Sequence, residues 1–502
     1  MMSGFVATAG CWMLLLLGWA IIRTGLPVWA LLLGCSSLFA MGGLAAGVVD
    51  VAILGAVPSR IVGLLEHDLL QALPLYVLVG VLLMRLSVVD AVFNVLARSL
   101  AWTGAGASLA ALGVGALIAP MNGSVASSSS LLSRLVGARL RHLPPEQGIA
   151  LASVASTIGV VVPPSLVLIL LGDAMLRAHT EAGQLAGSAV LAGQRIINTQ
   201  DVFHAALVPA ALLLLLWLIL AWWLSSRLPQ KTKPPPVNRV TLLLAGLAVL
   251  SIMALLVSVF TGVMQAVEAA ATGGCLLLLA ALLHGSLSAR DLREALSEAM
   301  ALTGALVALL VGATTFSLVF RAFGTDKLLA NWFGSAMPVS APMQALALLA
   351  LVALCAWVLD AFEMIFVIIP ILAPLLIVRL GDAQQAAVLL LLVLQLGFLL
   401  PPMGYAIIMV RSGGGFGDVD LRRLLRALWP FLGAQLLVIL LVFKVPALVH
   451  LLDAVTVAGT DAPASEQDIV RQMEEMSRAS PADDAAAPAL DASAPKPPTK
   501  TD

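Results

Sequence analysis

Long apolar runs separated by short polar patches dominate this chain. Runs of about 20 residues, enough to cross a bilayer, fall near 5–22, 26–49, 72–89, 149–172 and 202–226. A second set falls near 239–260, 262–284, 300–321, 386–410 and 427–450. Two longer stretches, about 102–138 and 341–378, are apolar at both ends and polar in the middle. The first breaks at Pro120-Met-Asn-Gly-Ser124 and the second at Asp360-Ala-Phe-Glu363. Each is too long and too interrupted for one span, so each predicts a re-entrant helical hairpin with a polar tip. The expected class is an all-α polytopic membrane protein.

Two of the apolar runs carry the same disruption, Gly159-Val-Val-Val-Pro163-Pro164 and Gly397-Phe-Leu-Leu-Pro401-Pro402. Proline lacks a backbone donor and clashes with the preceding turn, so a Pro-Pro pair breaks a helix. In hydrocarbon such a break survives only where the freed backbone groups face protein, water or a ligand. Pro401 lies 238 residues after Pro163, and Asp360 lies 238 residues after Asn122. Hairpin tip and broken helix therefore recur in the same order at the same separation. The expected organisation is a first repeat over 1–226, a basic Pro-rich linker over 227–238 and a second repeat over 239–453. Each half then has about five crossings plus one hairpin. An odd number of crossings turns the second half upside down, giving the inverted repeat of secondary transporters, with sites near the bilayer midplane.

Composition agrees with this class. The chain is 61% hydrophobic and 11% charged, against about 25% charged in soluble domains. Arginine and lysine cluster on one expected face, including Arg98, Arg134, Arg139, Arg141, Lys231, Lys233, Arg422 and Arg423. The opposite face holds Arg60, Arg177, Arg195, Arg321, Lys327 and Arg379. The positive-inside rule makes the first face cytoplasmic and both termini periplasmic. Residues 5–22 read as a retained helix, because no basic leader or small-residue cleavage site accompanies them. From 454 to 502 the chain turns to Ala, Pro, Asp and Glu, which predicts a disordered acidic tail. Cys11, Cys35, Cys275 and Cys355 read as packed small residues, and the six histidines form no metal or catalytic set.

The ordered motifs resemble the large membrane subunit of TRAP transporters (tripartite ATP-independent periplasmic transporters). They are Asn122-Gly-Ser-Val-Ala126, Ser156-Thr-Ile-Gly-Val-Val-Val-Pro-Pro-Ser165, Gln265-Ala-Val-Glu-Ala-Ala270, Asp360-Ala-Phe, Pro370-Ile-Leu-Ala-Pro374 and Gly397-Phe-Leu-Leu-Pro-Pro-Met-Gly404. The resemblance covers roughly residues 10–450. It implies the ion-transporter superfamily fold, with a scaffold and a transport domain moving as an elevator. It also implies a small four-helix membrane subunit and a periplasmic solute-binding protein as partners. Uptake of a small organic acid into a bacterium across its inner membrane would follow, with Na⁺ as the coupling ion and no other cofactor. No nucleic-acid partner is expected.

The site residues follow from the tips and breaks. Asn122, Gly123, Ser124 and Ser127 start a helix whose free amides suit a carboxylate. Pro163, Pro164, Asp360, Ala361, Pro401 and Pro402 complete the expected solute site. Oxygen donors at Asn122, Ser124, Thr157, Gly159, Asp360 and Gly397 suit Na⁺, a hard cation. The second cage is poor in side-chain oxygens, since Leu400 and Ala406 stand where the family commonly has polar residues. Glu363 is a candidate proton carrier in place of one sodium, or a helix-capping carboxylate. Gln395 is a possible supporting donor. Glu268 reads as a buried structural residue among small neighbours. Residues 173–201 read as an external excursion. Two alternatives remain: a stand-alone ion-coupled carrier, separated by the absence of a small subunit, and an intramembrane enzyme. The second is disfavoured because Ser124 and Asp360 have no catalytic partner in sequence.

Overall fold

The computed structural model describes residues 8–65, 68–86, 88–118, 125–140, 143–163, 165–185, 197–227, 237–283, 287–332, 339–400, 404–413 and 419–453. Among them every regular element is helical. The contacts divide the chain into Met1–Leu451 and Leu452–Asp502, and of the latter only 452 and 453 are described. The expected tail and most of the linker lie outside the described residues.

The first half runs α1 Ala9–Thr24, α2 Val28–Ala45, α3 Val51–Gly55, α4 Val57–Leu65, α5 Asp68–Arg85 and α6 Val88–Ser99. It continues with α7 Gly106–Ile118, α8 Val125–Arg139, α9 Pro145–Val161, α10 Leu166–Leu185 and α11 Thr199–Ser226. The second half runs α12 Arg239–Phe260, α13 Ala266–Leu283, α14 Ala289–Ala322, α15 Thr325–Asn331 and α16 Ala341–Ala356. Then follow α17 Ala361–Leu380, α18 Ala383–Gly397, α19 Tyr405–Ser412, α20 Leu421–Lys444 and α21 Ala447–His450.

Local chemistry sets several boundaries. Ser288 and Asp291 form a reciprocal capping box that starts α14, and Asn198 with Asp201 starts α11 in the same way. In α17 the stretch Met364–Ile368 widens to a π turn, with Ile369 N–H reaching Met364 O. Pro370 explains it: the ring has no donor for Phe366 and would collide with that carbonyl, so the turn before it opens.

Burial sorts the helices into centre and periphery. Every residue of α9 from Gly148 to Val161 is buried, and α18 is nearly so. A helix apolar and buried all round belongs to the core. By contrast α12 exposes Leu242, Leu243, Leu247 and Leu250, as a lipid-facing helix does. Helix boundaries recur at the 238-residue interval: α13 begins at 266 against 28 for α2, and α14 at 289 against 51 for α3. Likewise α18 begins at 383 against 145 for α9, and α16 ends at 356 against 118 for α7. Packing is exchanged in step, with α2 against α14 and α13 against α5.

Each of the ten predicted apolar runs coincides with a described helix or a broken pair of helices. Six described helices are long and apolar enough to cross alone, or up to eight if each bent pair counts as one span. Other apolar helices, such as the 16-residue α1 and α16, are shorter. The sequence predicts nothing at 50–71 or 90–101, where α3, α4 and α6 lie. Short amphipathic helices do not register as spans. The start of the expected excursion at 173–201 is helix instead, since α10 continues to Leu185. Among the cysteines, all free, only Cys35 is fully buried and Cys275 is exposed.

Candidate transport site

The first break is closed by one serine. Val162, before the proline, is extended (φ −79°, ψ 118°), as the ring of a following proline requires. Pro163 is buried. Ser165 then starts α10: its hydroxyl donates to Val160 O at 2.8 Å and accepts from Leu168 N–H at 3.1 Å. A single side chain thus satisfies one group on each side of the break, which hydrocarbon demands. The two helix segments meet at 43°.

The second break is bridged by backbone alone among the described residues. Ala406 N–H donates to Phe398 O at 3.2 Å, and Gly404 O accepts from Ile407 and Ile408 at 3.0 Å. Gly397 sits at the end of α18, where an added Cβ would lie 2.5 Å from Ala356 O. Only glycine lets α18 approach the end of α16 this closely.

The two breaks are tied together in the core. Gln395 Nε2 donates to Thr157 O at 3.2 Å, and these residues are 238 positions apart. Gln435 Nε2 donates to Gln395 Oε1 at 3.2 Å and to Leu392 O at 3.0 Å. Thr157, Gln395 and Gln435 are fully buried. The Thr157 hydroxyl is itself engaged, donating to Val154 O at 3.0 Å. Gly159 lies within the same buried turn.

The hairpins flank these breaks. Ser129 donates to Ser156 at 2.8 Å and Ser156 to Ser153 O at 2.7 Å, linking α8 to α9. Of the first tip, Asn122, Gly123 and Ser124 lie outside the described residues, as do Pro164, Pro401 and Pro402. Ser127 is placed only as a residue of α8. At the second tip Asp360 is the N-cap of α17 and Ala361 its buried first residue. Glu363 accepts from Asp360 N–H at 3.0 Å, so its carboxylate closes a capping box. Tyr405, the first residue of α19, lies within electrostatic reach of both carboxylates. The second tip and the second break adjoin where Gly397 packs on Ala356, four residues before Asp360.

Glu268 is a correction. It is exposed rather than buried, and its Oε2 accepts from Gln265 N–H at 2.9 Å at the start of α13. Three contributors carry no role in the sequence reading: Ser165, Gln435 and Tyr405. Ser165 has a legible signal, a serine directly before an apolar helix. Gln435 has none, because its partner is 40 residues away.

Buried broken helices flanked by helical hairpins define a polytopic membrane protein of the transporter class. Residues 13–448 match the family described as tripartite ATP-independent periplasmic transporter, DctM component, and the chain belongs to that family. It is 25% identical to the sialic acid TRAP transporter large permease protein SiaM of Vibrio cholerae, over 78% of this chain and 88% of that protein. It is 23% identical to the C4-dicarboxylate TRAP transporter large permease protein DctM of Rhodobacter capsulatus, over 76% and 86%. These relatives are transport permeases, not enzymes. The fold is similar to that of the YdaH transporter of Alcanivorax borkumensis, with TM-score 0.59 and 14% identity over 88% of this chain and 98% of that one.

Proposed function

We propose that this large permease subunit takes up a small organic acid by sodium-driven, elevator-type alternating access. The observation that carries this reading is the buried Gln395–Thr157 bond, which joins the two broken helices at one place. Unwound segments expose carbonyls for a cation and helix N-termini for a carboxylate, the pairing that sodium-coupled carriers use. The solute-binding residues of this reading are Asn122, Gly123, Ser124, Ser127, Pro163, Pro164, Asp360, Ala361, Pro401 and Pro402. Na⁺ takes oxygens of Asn122, Ser124, Thr157 and Gly159 in the first half, and of Asp360 and Gly397 in the second. The capping role of Glu363 leaves one carboxylate oxygen to carry a proton where the second cage is poor in donors.

Recurrence of helix boundaries at 238 residues supports two repeats, and the exchanged pairs α2–α14 and α13–α5 suit a scaffold. Relatives named for sialic acid and C4-dicarboxylates support an organic acid. The chain works in the inner membrane, termini outward, with a small four-helix subunit and a periplasmic binding protein. The test is uptake of a carboxylate panel into proteoliposomes holding both membrane subunits, with binding protein outside. Uptake requiring sodium and binding protein supports the reading. Uptake without binding protein replaces it with a stand-alone carrier. Sodium dependence with a Hill slope near two and indifference to Glu363→Gln removes the proton role.

A further inference from the structure

Helices α10, α14 and α17 enclose a cavity of about 480 Å³, with Arg60 of α4 at its edge. Its volume falls within the roughly 300–1,000 Å³ of small-molecule sites. The side facing α17 is apolar, formed by Ile365, Phe366 and Pro370, one to three turns along that helix from Asp360. The rest carries charge. Arg177 pairs with Asp173 at 2.8 Å within α10, and Arg321 of α14 pairs with Glu181 of α10. Arg60 has no ion pair among the described residues and is exposed. Thr314 and Ser317 add hydroxyls to the wall. Three permanent cations thus face two carboxylates, and both carboxylates already have an arginine.

We propose that this cavity is a receiving site for small carboxylates, separate from the tips and breaks. Arg60 makes the first contact with the anion. Glu181 holds the place on Arg321 that a solute carboxylate takes, so an incoming solute exchanges one carboxylate for another and leaves the guanidinium paired throughout. The apolar α17 side accepts the body of the solute, next to the helix that carries the second tip. This site rests on the transport reading above as far as its solute class is concerned.

The test uses the full chain with its small subunit in nanodiscs, where both faces are accessible. Cys11, Cys35, Cys275 and Cys355 are replaced by Ala and Thr314→Cys is introduced. Ser317→Cys serves as a second reporter should the first not assemble. Reaction rates are measured with a sulfonate-bearing and a trimethylammonium-bearing methanethiosulfonate, each normalised to a free thiol. A cationic, partly enclosed cavity raises the local anion concentration, so the sulfonate should win by about fivefold or more. Arg60→Gln should lower that ratio about threefold, Arg60→Lys should preserve it, and Glu181→Gln should raise it. Acetate, succinate or N-acetylneuraminate should slow the sulfonate reaction where chloride at equal ionic strength does not. A ratio at or below one, a ratio indifferent to Arg60→Gln, no reaction with either reagent, or no slowing by any carboxylate overturns the proposal. The transport reading is judged separately, by wild-type uptake, so the two can fail independently.

Discussion

Replacing Gln395 by Met keeps an unbranched side chain of similar length and removes both of its polar ends. Two hydrogen bonds disappear: Gln395 Nε2 to Thr157 O at 3.2 Å, and Gln435 Nε2 to Gln395 Oε1 at 3.2 Å. Hydrogen bonds between membrane helices average about 0.6 kcal/mol in double-mutant cycles, so the loss should be about 1.2 kcal/mol. The figure stays low because both bonds are long and because Gln435 retains Leu392 O at 3.0 Å. The assay is reversible unfolding in mixed micelles followed by tryptophan fluorescence. In a Gln435→Met background one of the two bonds is already gone, so Gln395→Met should then remove only about 0.6 kcal/mol. A change below about 0.3 kcal/mol in the Gln435→Met background would show that Gln395 does not tie to Thr157, and effects that simply add would show that Gln395 and Gln435 are not coupled.

Gly397→Ala drives a methyl into the Ala356 carbonyl and should destabilise by about 1–3 kcal/mol. Gly34→Ala, with open space at its Cβ, should be close to neutral in the same unfolding assay. Ser165→Ala removes the hydroxyl that serves Val160 O and Leu168 N–H; a loss of about 1 kcal/mol is expected, and Ser165→Thr should restore most of it. Arg139→Met breaks the 2.9 Å pair with Asp90, which is near the surface, and the contact over the buried ring of Phe93. Its effect should stay within about 1 kcal/mol and shrink in high salt.

Much of the architecture was legible from sequence because its strongest constraints are local. Pro163 and Asp360 announce a broken helix and a polar tip wherever they occur in hydrocarbon. The interval of 238 needs only subtraction. Elements whose apolar face is narrow, such as α4 and α6, leave no such mark. Glu268 was misjudged because small neighbours in sequence do not imply burial: its helix begins there, and the carboxylate turns outward to cap it. The tie between Thr157 and Gln395 required tertiary structure, since a glutamine amide in an apolar run names no partner. Glu363 shows the opposite case. Its spacing from Asp360 already spells a capping box, and the 3.0 Å bond supplies the geometry.

Helix α14 has 34 residues and is therefore about 51 Å long, well beyond the roughly 30 Å of hydrocarbon in a bilayer. Arg85 meets Glu294 and Glu298 within its first turns, so that end stands in the headgroup region or beyond. The remainder, 299–322, is 24 residues long, about 36 Å. That excess over roughly 30 Å is taken up by tilting, kinking or local thickening of the bilayer. A helix with such an excess registers bilayer thickness, and thicker membranes would relieve it. Lipid length is thereby expected to bear on how this helix sits.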